Sequence, residues 1–161
     1  MSKLVCITAA AFAISAFAEV RDLPDPKATP GVINPNVTQA TINKTICVPG
    51  WTKTIRPPVS YTNNLKRSQL AGGGGGAYAA KRPMNNFEED HLISLELGGA
   101  PRESHNLWPQ HWSSPHGAKE KDALENKLHR LVCNGEITLE EAQTAIRTDW
   151  IAAHAKYVEN K

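Results

Sequence analysis

The sequence predicts an α+β fold with a small ββα core, an added C-terminal helix and an extended N-terminal arm, and three observations carry that prediction. Residues 92–97 alternate, Leu92, Ser94 and Glu96 against Ile93 and Leu95, and stop at Gly98-Gly99, as a strand entering a turn does. Asn106-Leu107-Trp108 restarts the extended pattern before Pro109. Two later stretches then carry apolar residues at helical spacing.

The chain opens with Lys3, an apolar run over residues 4–17, and the small-x-small sequence Ala16-Phe17-Ala18. That order predicts a removable signal peptide over residues 1–18, with an uncleaved anchor as the alternative, and a secreted or periplasmic mature protein. No later stretch approaches the roughly 20 apolar residues of a transmembrane helix. Residues 19–45 hold Pro24, Pro26, Pro30 and Pro35 among Asn and Thr and show little periodicity, so they read as an arm that wraps the domain without building its core. Residues 46–161 form the domain proper. Within it, Pro57-Pro58 forbids a helix, Thr62 is placed to cap a short one running to Leu70, and Gly72 to Gly76 reads as a surface loop. No Gly-Lys-Ser/Thr follows those glycines, so a phosphate-cradling loop is not indicated.

Residues 118–133 predict a helix, with Leu124, Leu128, Leu131 and Val132 on one face and Asn134-Gly135 as its stop. Thr138-Leu139-Glu140-Glu141 then spells a capping box, and Leu139, Ala142, Ile146, Trp150, Ala153 and Tyr157 give the last helix its buried face.

Three cysteines become two when the leader is lost, since Cys6 lies in it. In an oxidising compartment Cys47 and Cys133 are then expected to join, with two buried free thiols as the alternative. Removal of Lys3 lowers the formal charge from +2 to +1, which by itself neither demands nor excludes a polyanionic partner. Any affinity for nucleic acid has to come from a local patch.

The chemistry-bearing stretch is Glu88-Glu89-Asp90-His91-Leu92-Ile93-Ser94-Leu95-Glu96-Leu97-Gly98-Gly99, followed by Asn106-Leu107-Trp108-Pro109 and a helix holding Lys121-Asp122 and Glu125-Asn126. Strand, Asn-bearing turn and helix in this order resemble the HNH endonuclease superfamily of ββα-metal nucleases. Together with Cys47-Val48-Pro49-Gly50-Trp51 and Arg56-Pro57-Pro58, they are similar to a group of small exported bacterial HNH-type proteins, over about residues 29–150. The resemblance implies a metal-dependent endonuclease hydrolysing phosphodiester bonds of DNA or RNA; a monomer is expected.

Phosphodiester cleavage needs a base for water, a cation for the developing charge and a rigid frame. His91 is the candidate base, since an imidazole titrates near neutrality. Asp90 would point to the opposite face of an ideal strand, so both serve one site only if the strand bends or bulges there. The resemblance implies Asp90 as a metal ligand and Asn106 as the brace of the turn that orients the histidine. The helical ligand is less determined. Asp122, Glu125, Asn126 and His129 fall within an arc of about 100°, Glu125 and Asn126 are the candidates, and His116 with Lys119 matches His-x-x-Lys at or before the helix start. The cysteine-pair zinc frame of many relatives has no counterpart here, and the Cys47–Cys133 bridge would take over its stapling role. Oxygen ligands of this kind suit Mg²⁺. Arg56, also grouped with the catalytic residues, Lys66 and Lys121 are candidate phosphate contacts. The rival reading is a catalytically silent exported binding protein on the same scaffold.

Overall fold

Strand β1 (Phe87–His91) pairs antiparallel with β2 (Leu107–His111), and the chain then enters a long helix; a computed structural model describes residues 23–71, 78, 83–113 and 116–160. The expected leader at 1–18 and the glycine run at 72–76 lie outside the described residues. Among the described residues four α-helices accompany the hairpin: α1 (Trp51–Ile55), α2 (Val59–Leu70), α3 (Ala118–Cys133) and α4 (Leu139–His154). The architecture is mixed helix and strand, as expected for α+β. Among the described residues no helix is long and apolar enough to cross a membrane.

The first strand lies earlier than its alternation suggested. Leu92, Ile93, Leu95 and Leu97 are all buried, so the segment has no solvent face for a half-buried strand to present, and Leu95–Leu97 is a 3-10 turn. The reason is Asn106. Its Oδ1 accepts from Ile93 N at 3.0 Å while its Nδ2 donates to Ile93 O at 3.0 Å and to Ala100 O at 3.1 Å. One side chain thus supplies the pairing that a neighbouring strand would have given, and the chain is free to turn through the core. The second strand runs past Pro109, which sits opposite Glu89. In a two-stranded sheet both strands are edges, and there a residue without an N–H is tolerated.

Gly98-Gly99 closes this loop for a steric reason. Gly98 has φ +76°, and a Cβ on Gly99 would stand 1.7 Å from Ile93 O. The arm uses the space so left. Asn34 N donates to Gly98 O at 2.8 Å, Ala100 N donates to Val32 O at 2.8 Å, and Ile33 forms a bridge with Gly99. It does more than wrap the domain: Val37 and Ile42 are buried in the main core beside Ile93, Leu124, Leu128 and Ile146. Those apolar residues are too widely spaced among prolines and polar residues to show a period.

Helix α1 was not anticipated. It ends at Ile55, because the residue before a proline is pushed out of the helical region, and Arg56 has ψ 130°. Helix α2 starts at Val59, directly after Pro58, three residues ahead of the expected Thr62 cap. The two C-terminal helices match their patterns but for Leu131, which is half-buried, and Tyr157, which lies half-buried in a π-helical turn (Ala155–Glu159) beyond the end of α4. Leu124, Leu128 and Val132 of α3 and Leu139, Ala142, Ile146, Trp150 and Ala153 of α4 are buried together, Gly135 turns the chain at φ +75°, and the Thr138–Glu141 capping box is formed. Cys47 and Cys133 are joined, tying the segment ahead of α1 to the end of α3 with Cα atoms 5.6 Å apart.

Candidate functional site

Alternation along β1 sends Glu88 and Asp90 to one face and Glu89 and His91 to the other. The strand register runs without interruption from Phe87 opposite His111 to His91 opposite Leu107, so no bulge brings Asp90 and His91 onto one face.

On the α3 face Asp90 meets Lys121. Its ammonium is fully buried and spends all three N–H groups inside the protein: on Asp90 Oδ2 at 2.7 Å, on the His91 carbonyl at 2.7 Å, and on Glu125 Oε1 in a short contact. One helical turn separates Lys121 from Glu125, which is why the two side chains meet. Burial works against charge on Lys121, but Asp90 and Glu125 override it and hold the amine protonated. Burial pushes the Glu125 carboxyl up, against the pull of Lys121. At the rim, Glu88 is raised to about 7 by burial and by Asp90 and Asp122. Lys121 was expected at a phosphate and Glu125 at a metal. Both are instead parts of an internal ion-pair cluster, because a lysine on the buried flank of α3 needs acceptors and β1 supplies them.

On the other face His91 is 5% exposed. Its Nε2 lies 3.0 Å from Pro101 O. A carbonyl can only accept, so Nε2 carries the proton and Nδ1 the basic lone pair. Burial is the largest influence on the ring and lowers its pKa below the ordinary value; the Pro101 bond and Asp90 oppose, and Lys121 and Arg56 assist. Arg56 is exposed on the loop between α1 and α2 and within electrostatic reach of the imidazole. Asn106, fully buried, donates to Ala100 O at 3.1 Å and so braces the loop that carries Pro101.

On the same face, Glu89 is pushed up to about 8 by burial, against the pull of Lys66. It lies against Gln69, and both Glu89 carboxyl oxygens, like Gln69 Oε1, are buried without a hydrogen-bond partner among the described residues. Lys66 is buried and donates to Phe87 O at 2.7 Å, so it too is a structural cation and not the phosphate contact expected.

The remaining expected ligands are dispersed. Asn126 is exposed and turns back onto Asp122 O at 2.7 Å. His116, exposed at φ +63°, pairs with Glu120 at 3.2 Å. Among the described residues, no group of three His, Cys, Asp or Glu ligand atoms close enough for one ion includes Asp90, Glu125 or His116; the group that does occur is Cys47, His129 and Cys133. Asp90 and Glu125 therefore do not fit a protein-held Mg²⁺ as they stand, since an ammonium already lies between them.

No family model, curated protein or solved structure matches this chain. Its function has to be argued from the site. Sequence reasoning missed two features of it. The proximity of His129 to the cysteines was readable, because His129 and Cys133 are one helical turn apart. The burial of Glu89 was not, because nothing in Glu88-Glu89-Asp90 tells which carboxylate faces α2.

Proposed function

We propose that this chain is an exported phosphodiesterase acting on nucleic acid as a monomer, with His91 as general base and Arg56 as the cation that meets the phosphate. The observation that carries the reading is the fixed tautomer of His91. With Nε2–H held on Pro101 O, Nδ1 is the nitrogen able to take a proton from an attacking hydroxyl or water. Its lowered pKa keeps that lone pair free at neutral pH. Arg56 is suited to two non-bridging phosphate oxygens, since a guanidinium binds them in bidentate fashion and never loses its charge. The order hairpin, Asn-braced loop, helix resembles the HNH superfamily and supports the same reaction class.

In HNH-type nucleases a divalent ion supplies Lewis-acid stabilisation of the phosphate. Here no step is assigned to such an ion, because Lys121 holds Asp90 and Glu125. The lysine cluster fixes β1 on α3 and so holds the strand that bears His91. Export is supported by the leader-like residues 1–18 and by the Cys47–Cys133 disulfide, which fits an oxidising compartment.

A second reading, a silent binding protein on this scaffold, is favoured by one observation, the near-complete burial of the imidazole. Supercoiled plasmid and single-stranded RNA incubated with the purified protein, in Mg²⁺ and in EDTA, separate the two. The enzyme cuts at least one substrate; the silent binding protein, folded, leaves both intact.

A further inference from the structure

We propose that reduction of the Cys47–Cys133 disulfide opens a zinc site built from the two thiolates and His129, with Glu96 at the fourth position. This inference does not depend on the phosphodiesterase reading, since the cluster contains none of its residues.

The ligand atoms of Cys47, His129 and Cys133 lie within 4.8 Å of one another, and all three residues are half-buried. His129 and Cys133 project from one face of α3 a turn apart, a spacing that suits two ligands of one ion. Cys47 comes from the segment ahead of α1. The imidazole is already oriented: its Nε2 lies 2.9 Å from Ile46 O, so Nε2–H donates to a backbone carbonyl and Nδ1 is left to bind. A carbonyl behind the ring is the usual support of a metal-bound histidine, fixing its tautomer and direction. Glu96 Oε2 stands 3.9 Å from that Nδ1, and Glu96 Oε1 is buried with no hydrogen-bond partner among the described residues. A cavity of about 230 Å³, bounded in part by Cys47, Glu96 and His129, opens beside them. It gives room for an ion, which the disulfide sulfurs now exclude.

Two thiolates, an imidazole and a carboxylate are a donor set for zinc and not for Mg²⁺ or Ca²⁺. With Zn–S near 2.3 Å, two sulfurs on one tetrahedral ion stand about 3.8 Å apart. Metal and disulfide thus exclude each other, yet the separation is reached by side-chain rotation. The chemistry balances with a dithiol as reductant. It gives two electrons and two protons, the Cys47–Cys133 bond breaks into two thiols, and the reductant closes its own disulfide. Zn²⁺ then displaces the two thiol protons to solvent as the Zn–S bonds form. Either state ties the same two segments, by a covalent bond when oxidised and by a metal when reduced.

The test uses the chain carrying Cys6→Ser, either oxidised or reduced with a dithiol and freed of it without air, titrated with Zn²⁺ by calorimetry and with Co²⁺ by absorption. The proposal expects one Zn²⁺ per reduced chain, binding at least a hundredfold weaker in the oxidised chain, and thiolate-to-cobalt charge transfer in the reduced form alone. His129→Ala and Glu96→Gln each weaken Zn²⁺ binding to the reduced chain, His129→Ala by at least about tenfold. Circular dichroism accompanies each titration. A reduced chain that loses structure and recovers it with Zn²⁺ supports the site as directly as a binding isotherm. A reduced chain that is folded and takes no Zn²⁺, one that stays unfolded in its presence, or a His129→Ala variant that binds as tightly as the parent overturns it.

Discussion

Lys121 Nζ lies 2.7 Å from Asp90 Oδ2 with no exposure to solvent, so a cation of the protein's own occupies the gap between β1 and α3. Its removal leaves the buried Glu125 and the half-buried Asp90 without their cation. Breaking a buried pair in this way costs about 3–5 kcal/mol, and Lys121→Ala is expected to show that loss in urea denaturation. If the ammonium stands where a metal would otherwise sit, millimolar Mg²⁺ or Ca²⁺ raises the melting temperature of Lys121→Ala and leaves that of the parent chain unchanged.

Asn106→Ala removes four hydrogen bonds at once, to Val32 N, Ile93 N, Ile93 O and Ala100 O. The buried backbone groups left behind cost roughly 1–3 kcal/mol each when unsatisfied, and relaxation recovers part of that. The expected net loss is about 3 kcal/mol, read from the denaturation midpoint. Asn106→Asp keeps the acceptor but sets a carboxyl oxygen against the Ile93 and Ala100 carbonyls in a fully buried site, so it is expected to lose at least as much stability as alanine.

How much of this was legible in the sequence depends on the range of the forces involved. Helix α3 and the capped α4 were readable because helical period and capping are local, and Leu124, Leu128, Ile146 and Trp150 sit where their spacing put them. The place of Asn106 in the turn was given only by the resemblance, since nothing local to Asn106-Leu107-Trp108 points to the backbone groups of Ile93 and Ala100. The limits of β1 were not, because Ile93 forgoes a strand neighbour for the Asn106 side chain, and that exchange spans thirteen residues. Lys121 looked like a surface phosphate contact because its burial depends on Asp90 arriving from another element. The same holds for Lys66 under the Phe87 carbonyl.

Glu89 gives stability a pH dependence of predictable sign. Its pKa is raised by burial from 4.5 unfolded to about 8 folded, so between those values the folded state holds the proton that the unfolded state has released. Stability then falls as pH rises through that window. Glu89→Gln keeps the shape without the titration, and it is expected to flatten the decline between pH 5 and pH 8 in thermal melts, by a few kcal/mol at the upper end.

His91 is depressed below the ordinary imidazole value. A base so tuned stays neutral into mildly acidic solution, and the acid limb of kcat/KM for phosphodiester cleavage is expected below pH 6.5. Arg56→Ala should lower kcat/KM by at least about tenfold at every pH, and Arg56→Lys should recover only part of it, because an ammonium cannot grip two phosphate oxygens in one plane.

The central claim is that His91 performs the proton transfer, and the rate of plasmid or RNA cleavage by the parent chain beside His91→Ala tests it most directly, with circular dichroism to show that both are folded. The account predicts cleavage by the parent and a loss of at least about a hundredfold in the variant. A folded parent chain that cuts neither substrate in Mg²⁺ or in EDTA, or a His91→Ala variant that cuts as fast as the parent, contradicts it.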